Sequence, residues 1–182
     1  MKFTELSLWG AYKIEPQVFT DERGFFFEQY SEDKFKDAGI SASFVQDNHS
    51  CSHKGVLRGL HFQNPPFAQD KLVYASRGTI YDVIVDIREG SDTYGQWEGI
   101  ELSDENHLML YVPKGFAHGF CVLSDVAVFQ YKVSNYYAPD HEGGLMWDDP
   151  DLAIEWPVDD PIVADKDAHY PAFEKFESRF NI

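Results

Sequence analysis

Thr79-Ile80-Tyr81-Asp82-Val83-Ile84-Val85-Asp86-Ile87 is the stretch that decides the fold class. Side chains of an extended chain alternate between two faces, so Tyr81, Val83, Val85 and Ile87 share one face while Asp82 and Asp86 lie on the other. Ala127 to Asn135 repeats the signal. Further short apolar runs occur at Gly24–Tyr30, Ser43–Ser50, Gly55–Gln63, Gln69–Arg77, Gln96–Leu102, Leu108–Val112 and Phe116–Val122, with a weaker one at Leu6–Ile14. About ten strands separated by Gly- and Pro-containing turns are therefore expected. Helix signals are sparse. Ser31–Ala38 has an N-cap serine, Glu32 and Asp33 in its first turn, Lys34 and Lys36 later and Gly39 as a stop, and Ala172–Phe180 is read as a second short helix. Many short strands with almost no helix point to an all-β domain, a β-sandwich or jelly roll whose lumen can hold a ligand.

The 182 residues, 43% hydrophobic and 16% aromatic, are enough for one domain with its own core. No repeat, low-complexity tract or linker divides residues 1–182. No window approaches the roughly 20 apolar residues of a membrane helix, and Met1–Leu6 lacks the apolar stretch of a secretory signal, so a cytoplasmic location is expected. Cys51 and Cys121 have neither the density of a disulfide scaffold nor zinc-site spacing, and are read as reduced thiols. Fifteen basic against 31 acidic residues give a net charge of -16. Such a surface repels nucleic acid and anionic membranes at long range, so neither is expected as a partner. A small anionic ligand would need the few lysines and arginines gathered in one place.

In Gly55–Gln63, the residues Leu57, Gly59, His61 and Gln63 share one strand face, which sets His61 among small or apolar neighbours. A packed, hydrogen-bonded core histidine and a catalytic base are both compatible with that position. Tyr131 shares a face with Ala127, Phe129 and Val133, where a phenol needs a polar partner if buried. Lys71 shares a face with Gln69, Val73 and Ala75, and an inward lysine is costly unless it meets an anion. His118 falls between Phe116 and Phe120 and is equally compatible with packing or with a luminal role. Together a base, a phenol and an ammonium would suit proton abstraction beside a carbonyl. Imidazole titrates near neutrality, Tyr is protonated there, and the ammonium would hold the enolate oxygen. Asp167 is a candidate to orient the histidine. Strict alternation puts Arg58 on the face opposite His61, and a bend at Gly59 or a contact across a dimer would reconcile them. His61 is followed by Phe62 and Gln63, so no His-x-His pair exists and no metal is expected.

These residues lie within blocks that resemble the dTDP-4-dehydrorhamnose 3,5-epimerase family along nearly the whole chain. The blocks are Asp21–Glu28, Phe44–Asn48, Val56–Gln63, Gly115–Phe120, Tyr131-Lys132, Asn135–Tyr137, Trp147–Pro150 and Glu155–Pro157. The resemblance implies a cupin-like double-stranded β-helix with short peripheral helices, acting on a dTDP-linked 4-keto-6-deoxyhexose without a cofactor. It implies His61 as base, Asp167 as its partner, Tyr131 as acid and Lys71 near the C4 oxygen. By the same matching Arg23, Glu28, Gln46, Asn48, Arg58, His118, Tyr137, Glu142 and Lys166 would line the substrate site, with Phe26 near the thymine. It further implies a homodimer whose N-terminal strands exchange, so that some of these residues come from the partner. Asp70 and Tyr74 depart from the family pattern, which commonly has a small and a basic residue there. The rivals are a relative that epimerises one carbon only, a non-catalytic sugar-binding cupin and a metal-dependent cupin oxygenase.

Overall fold

The strand that decided the fold class has two buried faces. A computed structural model, describing residues 1–182, places it one strand in from the edge of a second layer, between two cores. One six-stranded sheet runs in the order β1 (Lys2–Glu5), β2 (Tyr12–Glu15), β11 (Met109–Val112), β7 (Lys71–Arg77), β13 (Val126–Val133), β5 (Gln46–His53). The other runs β10 (Trp97–Ser103), β8 (Thr79–Asp86), β12 (Phe116–Val122), β6 (Val56–Gln63), β14 (Glu142–Gly144), with β15 (Ile162–Val163) parallel to the start of β6. All other pairings within the two sheets are antiparallel. The all-β jelly-roll expectation holds.

Alternation explains the layering. Val73, Ala75, Leu110 and Phe129 of the first sheet meet Ile80, Ile84, Phe116 and Phe120 of the second in the inner core. Val83, Val85, Leu60 and Phe62 point the other way, where Leu145, Leu152 and Phe180 cover them. On the outside of the first sheet, Ile14, Leu72 and Met109 pack under Phe35 of α1 (Glu32–Asp37) and Ile40. Each fully buried Leu, Ile or Val side chain contributes about 1.5–3 kcal/mol, so the inner core is the main source of stability. Asp82 and Asp86 are completely buried, because both faces of β8 are interior. No helix is long and apolar enough to cross a membrane.

Four local expectations are corrected. Leu6–Ile14 is not one strand: the Leu6 amide bonds the Ala11 carbonyl at 2.9 Å, closing a turn between β1 and β2. Gly24–Tyr30 forms only β4 (Gly24–Phe26), paired with β3 (Phe19–Asp21) in an exposed two-stranded hairpin. The strand expected at Ser43–Ser50 is β5, starting at Gln46 and ending at His53. The tail is not a helix. Its Phe173, Phe176 and Phe180 recur at helix-like spacing, but all three dock on the outer core of the second sheet. After one 3-10 turn at Phe173–Lys175, β16 (Phe180–Asn181) runs parallel to β9 (Arg88–Glu89), where backbone hydrogen bonds replace those of a helix. The Ser31–Ala38 helix is found, shortened by a residue at each end. Ser31 stands at the N-cap but its hydroxyl makes no capping bond, and the turn after Ala38 passes through Gly39 at φ +87°.

Candidate active site

The site is built around an irregularity in β6. His118 of β12 sits opposite His61 and Phe120 opposite Arg58, so three steps on β6 face two on β12. The extra residue is a β-bulge, which reverses the side-chain alternation beyond it. Gly59 sits there at φ +140°, and a Cβ on it would fall 2.5 Å from the Gly119 Cα. Only glycine fits that close backbone crossing. The bulge turns Arg58 and His61 to the same side, where both line a cavity of about 460 Å³ between the sheets. The bend at Gly59 thus supplies the reconciliation that alternation required.

His61 Nε2 is 2.7 Å from Asp167 Oδ1, and the other Asp167 oxygen accepts the Gly59 amide at 3.1 Å. Asp167 comes from a 3-10 turn, Asp167–His169, just after β15. Burial pushes its carboxyl up, but the His61 hydrogen bond, the Gly59 amide and nearby Lys166 outweigh this and hold it below the ordinary value. With Nε2 committed to Asp167, Nδ1 is the imidazole nitrogen left for a ligand.

Lys71 enters from β7 of the opposite sheet, and its Nζ donates to the His61 carbonyl at 3.3 Å. Burial lowers its pKa to about 8, although the carboxylates of Asp82 and Glu142 oppose the shift. Tyr131, on β13 of the same sheet, packs its ring on Phe129, and burial raises its phenol pKa with Arg58 nearby opposing. His118 places Nε2 within 3.0 and 2.9 Å of the two Asp82 oxygens. Burial lowers the histidine and raises the aspartate, so both are pushed toward their neutral forms.

The cavity mouth is polar. Arg58 donates to Ser52 at 3.1 Å, Gln46 to Asn48 at 2.9 Å, and Glu142 accepts from Tyr137 at 2.9 Å and from Lys166 at 2.6 Å. Burial raises the Glu142 carboxyl, but the Lys166 and Tyr137 bonds prevail and hold it low. Nine of the residues implied by resemblance, His61, Lys71, Tyr131, Gln46, Asn48, Arg58, His118, Tyr137 and Glu142, line this one cavity. Asp167 supports it from behind His61, and Lys166 reaches its mouth through Glu142.

Arg23, Phe26 and Glu28 are not brought to it. Arg23 pairs with Asp21 and Glu28 with Lys34, and Phe26 is 70% exposed. Their neighbours Phe25, Phe27 and Gln29 line a smaller cavity of about 190 Å³ beside Tyr74 and His107. Alternation therefore turns Phe26 and Glu28 away from their own barrel. Asp70 and Tyr74 also stay outside the cavity. Asp70 accepts from Tyr111, Ser134 and the Lys114 amide, and Tyr74 donates to Gln130.

Seven residues of the lining, His49, Ser50, Phe62, Gln63, Gln69, Phe120 and Phe129, were not singled out from the sequence, and neither were Asp82 and Tyr170 behind it. Asp82 lies on the Ile80 and Ile84 face, and an acid between two isoleucines was the available signal. Tyr170, whose ring stands against His61, gave none. The sequence holds no His-x-His pair, yet cross-strand register sets His61 beside His118. Each has a carboxylate partner, and no three His, Cys, Asp or Glu side chains converge anywhere in the chain.

Comparisons with known proteins agree with this architecture. Residues 5–175 match the family described as dTDP-4-dehydrorhamnose 3,5-epimerase. The dTDP-4-dehydrorhamnose 3,5-epimerase of Methanothermobacter thermautotrophicus is 51% identical over 172 residues, 93% of this chain and 92% of its own. The Legionella pneumophila dTDP-6-deoxy-D-glucose-3,5-epimerase RmlC, solved with dTDP-4-keto-L-rhamnose, superposes with a TM-score of 0.93 at 44% identity, covering 97% of this chain and 94% of its own. ChmJ, a 3'-monoepimerase from Streptomyces bikiniensis solved as a His and Tyr double mutant with dTDP, gives 0.88 at 35% identity, covering 93% and 86%. With a match that runs from the first strand almost to the end of the tail, this chain belongs to the dTDP-4-dehydrorhamnose 3,5-epimerase family.

Proposed function

We propose that the protein inverts C3 and C5 of dTDP-4-dehydro-6-deoxy-D-glucose to give dTDP-4-dehydro-L-rhamnose, a step of dTDP-L-rhamnose synthesis. The observation that carries this reading is the placement of His61 and Tyr131 on opposite sheets of one cavity, with Lys71 reaching across between them. Neutral His61 removes the proton α to the C4 ketone, and Asp167 stabilises the imidazolium that forms. Lys71 holds the enolate oxygen, and its ammonium gains strength from being buried. Tyr131 then delivers a proton from the other face, inverting the carbon. Each carbon loses one proton and gains one, so no net electron transfer is required. In ChmJ the replaced His and Tyr are separated by the same number of residues as His61 and Tyr131, which supports pairing them in one role.

Arg58, with Arg23 from a second copy, supplies the cations that the acidic chain reserves for the pyrophosphate. Arg23, Phe26 and Glu28 act on the site of a second copy, with the N-terminal hairpin exchanged in a homodimer. Two free thiols and a nucleotide-sugar substrate fit a cytoplasmic location.

The test is incubation with the substrate in D2O, read carbon by carbon. Deuterium at both C3 and C5, lost in His61→Ala and slowed in Tyr131→Phe, is expected. Label at one carbon only would make the protein a monoepimerase, and label at neither would remove the enzymatic reading.

A further inference from the structure

Tyr170 is not used by the chemistry above, yet it touches the proposed base. Its ring lies 5.8 Å from the His61 ring, centroid to centroid, at 70°, an edge-to-face contact. Gly144 of β14 is the cross-strand partner of His61, and a Cβ on Gly144 would fall 2.5 Å from Cδ2 and Cε2 of Tyr170. The tyrosine ring therefore occupies the space a side chain at Gly144 would need, directly beside the imidazole. A backbone bond holds the segment in place: the Met146 amide, two residues after Gly144, donates to the carbonyl of Pro171, the residue after Tyr170, at 3.0 Å. The Tyr170 hydroxyl faces the Lys166 ammonium, which is bonded to Glu142. One short turn thus supplies Lys166 to the cavity mouth, Asp167 to Nε2 and Tyr170 to the ring.

We infer that Tyr170 is a positioning residue that clamps the His61 imidazole in the plane presenting Nδ1 to the sugar. The Asp167 bond alone fixes one nitrogen but leaves the ring free to swing about it. The Tyr170 ring closes that swing on one side, with Gly144 kept bare to admit it. This rests on His61 being the base, and the two ideas fail separately, since His61→Ala tests the base without reference to Tyr170.

The experiment compares Tyr170→Phe, Tyr170→Ala and Tyr170→Leu by steady-state kinetics on dTDP-4-dehydro-6-deoxy-D-glucose. Tyr170→Phe, which keeps the ring, should stay within about 3-fold of the parent kcat. The Ala and Leu variants should lose about 10- to 100-fold in kcat with KM nearly unchanged, the scale of a small misplacement of a catalytic group. Parent-like kcat in a folded Ala or Leu variant would overturn the inference. So would an equal loss in Phe, which would assign the effect to the hydroxyl. A residual activity in His61→Ala equal to the parent would instead remove the base on which it rests.

Discussion

Lys71 combines two demands that pull in opposite directions. Burial brings its pKa to about 8, so the ammonium that should hold the enolate is lost as pH rises through that value. In the free enzyme this appears as a fall in kcat/KM on the alkaline side, with a midpoint near 8, measurable in a pH series. The stability effect has the opposite sign. The unfolded chain holds this proton up to the ordinary lysine pKa, so the native state binds fewer protons between there and about 8, and stability gains as pH rises through that window. At neutral pH the buried charge is destabilising. Lys71→Met should therefore lower kcat by about 100- to 1000-fold, the scale of one lost oxyanion donor, while raising the melting temperature at pH 7. A Met variant with both activity and stability reduced would contradict this account. At this scale the sequence was partly legible. A lysine, a tyrosine and a histidine on inward strand faces announced themselves by being polar among apolar neighbours. Asp82 was marked in the same way, as an acid between Ile80 and Ile84, but its face of β8 was read only as the one opposite Val83 and Val85, and nothing local says which of two buried faces borders the cavity.

Elements were legible where alternation ran unbroken, as in β8 and β13, and illegible where a contact from far along the chain overrode it. The aromatic repeat of the tail mimics a helix because both a helix and a segment laid over a sheet must place a large side chain inward every three or four residues. The decisive information for the tail lies in β9, far away in sequence. β6 carries the opposite lesson: strict alternation separated Arg58 from His61, and the Gly59 bulge joined them. Gly59→Ala should destabilise the fold by about 1–3 kcal/mol, because φ +140° is strained for any side chain and the Cβ meets the Gly119 backbone. Melting curves check the first part. Activity should fall further than stability predicts, since easing the clash shifts Arg58 and the Gly59 amide that holds Asp167. A variant that melts lower but keeps full kcat/KM would show that the bulge serves packing alone.

For the molecule as a whole, the acidic balance and the all-β class were readable from composition and punctuation, the sixteen strands exceed the ten or so expected, and a homodimer with exchanged N-terminal strands came only from the resemblance. The chain's own Arg23 and Phe26 lie on the N-terminal hairpin and Glu28 just after it, all away from its own cavity. If they serve a second copy's site, activity can be rebuilt from two defective chains. Arg23→Ala and His61→Ala homodimers should each be impaired. Co-expressed heterodimers should regain one intact site of two, because the arginine variant contributes its histidine and the histidine variant its arginine. Activity in purified, doubly tagged heterodimers reads this out. No recovery above the better homodimer would place Arg23 in the site of its own chain or outside any site.

The bond between His61 and Asp167 joins positions 106 residues apart. During synthesis the strands of both sheets through Gly144 leave the ribosome before Asp167 does, so a nascent barrel can close around its cavity with its base still unpartnered. The carboxylate that completes the pair is translated after them. The pair therefore forms only once those strands exist, and a chain cut short after β14 would carry them without it.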